Sequence, residues 1–155
     1  MGSTVITVEI CENLTLIKST MLEMFLDIAE DEVPETLCEP DMNSQRWILV
    51  KNFGAPVALF CLSAYNRTVC QIHPYVFYGH RKNAIEYGKA AMKWFKDFAP
   101  AMYKKLMTDA ADCFPHCQKY AIKCGFEQEG YIKNAFKRGG TIYGIKLYGI
   151  DRSEI

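Results

Sequence analysis

The stretch VCQIHPYVF-YGHRKN-AIEYGKAAMKWFKDF, residues 69–98, decides the fold that we expect for this chain. Its first part predicts a β-strand over 69–77, its middle a polar turn over 78–83, and its last part an amphipathic helix over 84–98. The first N–H groups of a helix lack partners within the helix and lie at the positive end of its dipole, so such turns often bind phosphate. The turn also carries three potentially cationic side chains, His80, Arg81 and Lys82. It is therefore either an anion site or an ordinary basic turn at the surface.

Length and composition restrict the class of protein. The 155 residues suit one domain, which we expect to span residues 1–155, and half of them are hydrophobic. The formal net charge is zero, which argues against non-specific binding of nucleic acid, although it does not exclude a local basic patch. There is no apolar run of about 18 residues or more, and residues 1–5 lack the pattern of a signal peptide. We therefore expect neither a membrane span nor export.

The sequence contains an odd number of cysteines, seven in all. Four of them lie inside apolar runs, and a buried free cysteine behaves as a small hydrophobic residue, so we expect a reducing, cytoplasmic location. Cys113, His116 and Cys117 are residue types that bind metals, but no second pair with ligand spacing follows them. We therefore predict no metal.

Before the opening stretch we expect one helix and three strands. Asn13 or Thr15 can cap a helix that runs to about Glu32 and is stopped by Pro34. The predicted strands are Thr4–Ile10, Arg46–Phe53 and Pro56–Tyr65, and the last two are joined by a hairpin turn. With residues 69–77 they make an antiparallel meander.

After the opening stretch we expect a strand over Tyr103–Ala110 and a helix over about Pro115–Lys123 that ends at Gly125. A hairpin of Glu129–Lys137 and Thr141–Ile150 follows, with Gly139-Gly140 in its turn. Gly88 inside the helix over 84–98 costs about 1 kcal/mol relative to alanine, so we expect it to pack closely against the sheet.

The segment Glu30–Asp41 is rich in acidic residues and contains Pro34 and Pro40. Charged runs usually face water, so a solvated loop is one interpretation. The other is a flexible acidic lip that borders the cleft at the end of the central strand and attracts a cationic substrate.

The order of these elements resembles that of the GNAT superfamily of N-acetyltransferases. The segment Lys123–Gly130, KCGFEQEG, looks like the K-x-G-F-x-x-E-G segment of that family. Its continuation, Tyr131–Tyr148, is similar to the branch that acetylates the N-termini of ribosomal proteins. The resemblance covers about residues 45–150 and implies an α/β (α+β) fold in which helices flank a mixed, mostly antiparallel sheet.

The resemblance also implies acetyl-CoA as the cofactor. In the family the backbone of the central strand pairs with the pantetheine arm, and the following turn holds the pyrophosphate. Aligned on Arg81, the family pattern Q/R-x-x-G-x-G/A meets Ala84 and Glu86 at its small positions. The residues implied to bind the cofactor are Tyr75, Val76 and Phe77 on the strand, and Gly79, His80, Arg81, Lys82, Asn83 and Ala84 at the turn.

The implied reaction is the transfer of an acetyl group to an amine by direct attack. The family's general acid is a tyrosine four residues before the Gly-Phe glycine; that position is Ala121 here, and Tyr120 is the neighbouring candidate. His73 on the central strand, and less directly His116, could accept a proton from the amine. The acceptor would be a small amine or a protein N-terminus.

The departures at Ala84 and Glu86 leave a second hypothesis open. Some phage virion and head-assembly proteins resemble GNAT domains that have lost the glycine turn. On that hypothesis the chain is an inactive binding or assembly module with a protein partner, located in a host cytoplasm or a virion.

Overall fold

The computed structural model describes residues 5–155, in which seven strands form one sheet. The strands are β1 (Ile6–Ile10), β2 (Gln45–Asn52), β3 (Ala55–Ala64), β4 (Val69–Val76), β5 (Lys105–Ala111), β6 (Glu127–Arg138) and β7 (Thr141–Asp151). The helices are α1 (Leu14–Ile28), α2 (Ala84–Phe98) and α3 (Pro115–Cys124). None of the helices in this part of the chain is long and apolar enough to cross a membrane. Thr4, where we predicted the first strand to begin, lies outside the described residues.

The sheet has the order β1-β2-β3-β4-β5-β7-β6. Neighbouring strands are antiparallel except for β4 and β5, which are parallel and are connected through α2. The predicted meander over residues 46–77 and the hairpin that extends the same sheet are confirmed. The mixed, mostly antiparallel sheet flanked by helices is confirmed as well.

Helices cover both faces of this sheet because successive residues of a strand point to opposite sides. On one face Trp47 and Leu59 pack with Ile17 of α1. On the other face Ile48 and Phe60 belong to a larger cluster that includes α2 and α3. The candidate site lies between β4 and β5, where residues of α1 on one face and of α2 and α3 on the other come to the same cavity.

The predicted end of α1 is wrong. The Asn13 side chain caps the helix by accepting a hydrogen bond from the Leu16 N–H (3.0 Å), but the helix ends at Ile28 rather than near Glu32. Pro34 does not stop it, because the chain is already extended at Ala29. Asp31 instead binds the β6–β7 turn: its N–H donates to the Lys137 carbonyl (2.9 Å), and its carboxylate accepts from two glycine amides.

Gly88 has a different neighbour from the one that we predicted. A Cβ atom at this position would collide with the Tyr120 hydroxyl and lie 2.9 Å from the Cys124 Sγ atom. Both residues belong to α3, so the glycine allows close contact between two helices rather than between a helix and the sheet. The other glycine prediction is confirmed: Gly125 ends α3 in the left-handed region, with φ of 108°.

Candidate active site

The candidate site begins where β4 and β5 separate. The two strands pair only at Val69–Lys105, Cys70–Leu106 and Gln71–Met107. Beyond these pairs β4 continues to Val76 and β5 continues to Ala111 without further pairing between the two strands. The parallel strands therefore open into a gap inside the sheet.

One side of this gap is lined by backbone groups of β4 that have no strand partner. The Phe77 N–H donates to the Val57 carbonyl (3.0 Å), and the Tyr65 N–H donates to the Val69 carbonyl (2.9 Å). The odd-numbered residues of β4 therefore bond to β3, and beyond the last β4–β5 pair the backbone groups of the even-numbered residues point into the gap. Pro74 is one of these, so its missing N–H breaks no bond to β3. The gap presents an internal strand edge to an extended ligand.

A cavity of about 340 Å³ occupies the gap and reaches both faces of the sheet. Met24 and Asp27 of α1 line it on one side, and Ala84 and Gly88 of α2 line it on the other. Its walls are mostly apolar, with a small number of polar groups among them. This is the common character of a small-molecule site.

The turn after β4 supplies the cationic end of the cavity. Its hydrogen bonds run from the Asn83 N–H to His80 and from the Ala84 N–H to Arg81, so they leave the amides of Arg81 and Lys82 free within the turn. Gly79 has φ of +84°, and a Cβ atom added to it would meet no other atom within 4 Å. Arg81 lies 4.5 Å above the ring of Tyr78.

The structure brings only some of the predicted turn residues to the cavity. Arg81 and Ala84 line it, whereas Gly79, His80, Lys82 and Asn83 do not. Glu86, the acidic departure from the family pattern, is exposed and lies outside the cavity wall.

The three predicted strand residues play different parts. Val76 directs its backbone groups into the gap, as the register requires, whereas the Phe77 N–H is bonded to β3. Tyr75 packs on the α1 face, where its ring centroid is 5.6 Å from that of Trp47. Burial raises the pKa of Tyr75 to about 12, so its hydroxyl is neutral at pH 7.

His73 lies on β4 where the gap opens, and its side chain is exposed to the cavity. Its ring centroid is 4.8 Å from that of Tyr75. Desolvation by the surrounding protein lowers the pKa of His73 to about 4, and solvent at the open side of the ring opposes that shift. Desolvation prevails, so the pKa of His73 stays below its ordinary value. The ring is therefore neutral at pH 7 and has a lone pair available to accept a proton.

Tyr120 on α3 also lines the cavity, but its hydroxyl is already engaged. It donates a hydrogen bond to the Ala84 carbonyl (2.7 Å) at the first residue of α2. Burial, with smaller contributions from Cys124, raises the pKa of Tyr120 above its ordinary value. The phenol is therefore protonated, and it must exchange the bond to Ala84 before it can donate a proton to a ligand.

Two residues named in the sequence analysis, His116 and Cys117, also line the cavity, and so does Cys124. His116 lies at the start of α3 and is exposed. Burial raises the pKa of the two cysteine thiols, which keeps them protonated and poorly nucleophilic. No group of three or more His, Cys, Asp or Glu side chains within residues 5–155 is arranged to hold a metal ion.

The acidic segment Glu30–Asp41 does not line the cavity. Asp31 accepts from the amides of Gly139 and Gly140 (2.9 Å each), and Glu30 accepts from the Lys137 N–H (3.2 Å). At least these two carboxylates therefore hold the β6–β7 turn instead of forming an acidic lip at the cavity.

Sequence reasoning missed two carboxylates that do line the cavity. Asp109 lies on β5, two residues beyond the last β4–β5 pair, and Asp27 lies near the end of α1. Asp109 interrupts the apolar run at the end of its strand, which was a usable signal. Asp27 carries no comparable signal, because a charged residue on a helix surface is ordinary.

The fold matches solved N-acetyltransferases, whereas no protein-family model and no curated protein matches the sequence. The N-acetyltransferase from Staphylococcus aureus Mu50 is 15% identical, with 96% of this chain and 99% of that chain covered and a TM-score of 0.73. The spermidine N-acetyltransferase from Vibrio cholerae in complex with CoA and spermine is 18% identical over 96% of each chain, with a TM-score of 0.68. A putative phosphinothricin N-acetyltransferase is 14% identical over 94% of this chain and 98% of that chain, with a TM-score of 0.69. The chain thus has the GNAT fold, and the resemblance drawn from its sequence is confirmed at that level.

Proposed function

We propose that this chain is an N-acetyltransferase that transfers the acetyl group of acetyl-CoA to an amine by direct attack. The observation that carries the proposal is the gap between β4 and β5, where an internal strand edge, a cationic turn and a neutral histidine meet in one cavity. A sheet that merely served as a scaffold would gain stability by pairing these strands along their full length.

The residues at the gap fit acetyl-CoA. The pantetheine arm is an extended chain with amide groups, and the N–H and carbonyl of Val76 with the carbonyl of Pro74 offer it complementary partners. The pyrophosphate is a dianion, and the free amides of Arg81 and Lys82 and the Arg81 side chain at the cavity wall suit it, while the exposed Lys82 beside the cavity adds positive charge. When bound, acetyl-CoA supplies a thioester whose acetyl carbon the amine attacks, with release of the CoA thiol.

The chain's own contribution is to position the reactants and to move protons. His73, whose ring is exposed to the cavity, is the candidate that accepts a proton from the acceptor nitrogen, directly or through water, and passes it to solvent. The Tyr120 hydroxyl is the candidate proton donor once its bond to Ala84 is exchanged. The cysteines of the cavity take no part, since their thiols stay protonated.

Calorimetric titration with acetyl-CoA tests this function. We expect binding by the parent chain and a loss of about tenfold or more for the double variant R81A/K82A, because even one charge-assisted phosphate contact is worth roughly 1.5–3 kcal/mol. The matched control is R67A/K104A, which removes two exposed cations at the opposite end of the gap strands. It should bind like the parent.

A second candidate function is a binding module that takes no cofactor. The observation that favours it is Ala84, whose side chain stands at the cavity wall where the family pattern has a glycine. The absence of heat with acetyl-CoA at millimolar concentration, for a protein with a cooperative unfolding transition, would support this candidate and rule out the acetyltransferase.

A further inference from the structure

Tyr78, in the turn that follows β4, contacts two charged side chains at once. Its hydroxyl donates a hydrogen bond to the Asp27 carboxylate near the end of α1, 51 positions earlier in the chain. The face of its ring lies under the Arg81 guanidinium, whose central carbon is 4.5 Å from the ring centroid. This side chain therefore connects α1 to the cationic turn beside the cavity.

The Asp27 carboxylate lies where its own helix does not favour a negative charge. It belongs to the last turn of α1, at the negative end of the helix dipole, and that turn contains no basic residue. Among residues 5–155, no cationic group lies within the 4.0 Å of a salt bridge to it. The hydrogen bond from Tyr78 gives this carboxylate the partner that α1 lacks, and it raises the pKa of the phenol, which therefore stays protonated as the donor.

Arg81 is exposed, and it forms no salt bridge within the described part of the chain. A free arginine side chain samples many rotamers, and binding an anion removes that freedom. The contact with Tyr78 restricts the guanidinium before an anion arrives, at a position where Arg81 lines the cavity. Because this contact is with a ring face and not with an oxygen, the N–H donors of the guanidinium remain available to phosphate.

The hydrogen bond and the cation–π contact strengthen each other. A phenol that donates to a carboxylate gains electron density in its ring, and a cation is attracted more strongly to such a ring. Asp27, Tyr78 and Arg81 therefore form one connected set of contacts that runs from α1 to the wall of the cavity.

We propose that Tyr78 is a positioning residue for the cofactor: it holds Arg81 in the orientation that binds the pyrophosphate of acetyl-CoA, and Asp27 holds Tyr78 in place. This inference rests on the proposed acetyltransferase function and adds a residue to which that function gave no role. Tyr78 acts through Arg81, since it does not itself line the cavity.

A double-mutant cycle on the Kd of acetyl-CoA, measured by calorimetry, tests this role. Y78L removes both contacts and should weaken binding by about threefold or more. In an R81A background the same substitution should leave Kd unchanged, because the side chain that Tyr78 positions is absent. Y78F keeps the ring and should lose less affinity than Y78L. The control Y65L removes another exposed tyrosine, outside the cavity, and should bind like the parent.

A measurement without ligand reports on the positioning itself. In the parent, the ring current of Tyr78 should shift the NMR signal of the Arg81 Nε–H upfield. The shift should disappear in Y78L and persist in Y78F, and both variants should fold because Tyr78 is 45% exposed. The same Arg81 signal in parent and Y78L would overturn the inference.

The outcomes of the binding cycle separate the inference from the function on which it rests. If the parent binds acetyl-CoA and Y78L causes the same loss with and without Arg81, the inference is overturned while the acetyltransferase function stands. If the parent binds no acetyl-CoA, the proposed function fails and the inference fails with it. Loss of binding in Y78L that vanishes in R81A supports both.

Discussion

At the scale of single residues, the close approach of α2 and α3 depends on Gly88. The Tyr120 ring crosses α2 at this glycine and donates its hydrogen bond to Ala84 one turn earlier. The sequence indicated that Gly88 needed a packing reason, but not which element supplied it. Contacts between elements that are far apart in the chain are not encoded in local periodicity.

We expect Gly88→Ala to destabilise the protein. Alanine gains about 1 kcal/mol of helix propensity, whereas overpacking against Tyr120 and Cys124 costs typically 1–3 kcal/mol, so the net loss should be about 1 kcal/mol. Chemical denaturation measures the change. In a Y120F background the same substitution should cost less, because the colliding hydroxyl is absent; an equal cost would show that Tyr120 is not the obstacle.

His73 should make stability depend on pH. Its pKa in the folded chain, about 4, lies below the ordinary value of 6.5, so the unfolded chain binds the proton first as pH falls. The stability contributed by the neutral ring is present above about pH 6.5 and is lost as pH falls toward 4. We expect H73N to flatten the decrease in unfolding free energy across that window. An identical pH profile for parent and variant would contradict the lowered pKa.

At the scale of elements, the sequence predicted strands and helices well wherever local signals decided them. The bounds of α2 were predicted to the residue, since a polar turn precedes it and Pro100 follows it. The end of α1 was missed because the chain turns into an extended segment at Ala29, beyond which Asp31 bonds to a turn about 110 residues later in the chain. Long-range contacts of this kind override the propensity of the local sequence.

We expect Asp31→Asn to weaken the hydrogen bonds between the segment that follows α1 and the β6–β7 turn. The amides of Gly140 and Gly139 lower the pKa of Asp31, so its ionised form is favoured in the folded chain. That contribution is present above pH 3.8 and is lost as pH falls through the folded pKa. Hydrogen exchange should become faster at Gly139 and Gly140 in the variant. The neighbouring E32Q, which changes an exposed carboxylate, is the control and should leave exchange at both glycines unchanged.

At the scale of the whole molecule, the two layers on either side of the sheet meet across the gap, and the strands there share only three residue pairs. The sequence predicted a sheet flanked by helices and the cationic turn, but not the separation of β4 and β5. It did not predict Asp27 and Asp109 as members of the site, because the separation of β4 and β5 brings them to one cavity and leaves no mark in either local pattern.

Acetyl-CoA should therefore stabilise the folded chain as a whole. A ligand that binds only the folded state adds about 2.7 kcal/mol to the unfolding free energy when its free concentration is a hundred times Kd. A thermal-shift titration should give an unfolding temperature that rises with the logarithm of the ligand concentration. R81A/K82A should need about tenfold or more ligand for the same shift, and no shift in the parent would contradict the proposed function.

Pro74 has a consequence for the competition between open and closed forms of the sheet. If β4 and β5 paired along their full length, the backbone position of residue 74 would face β5 and would need to donate a hydrogen. Proline cannot donate one, so the closed ladder would contain a permanent defect at its centre. Pro74 thus raises the free energy of the form in which β4 and β5 are fully paired, relative to the form in which they separate. The missing N–H of Pro74 therefore favours the separated strands and keeps the cavity between them accessible.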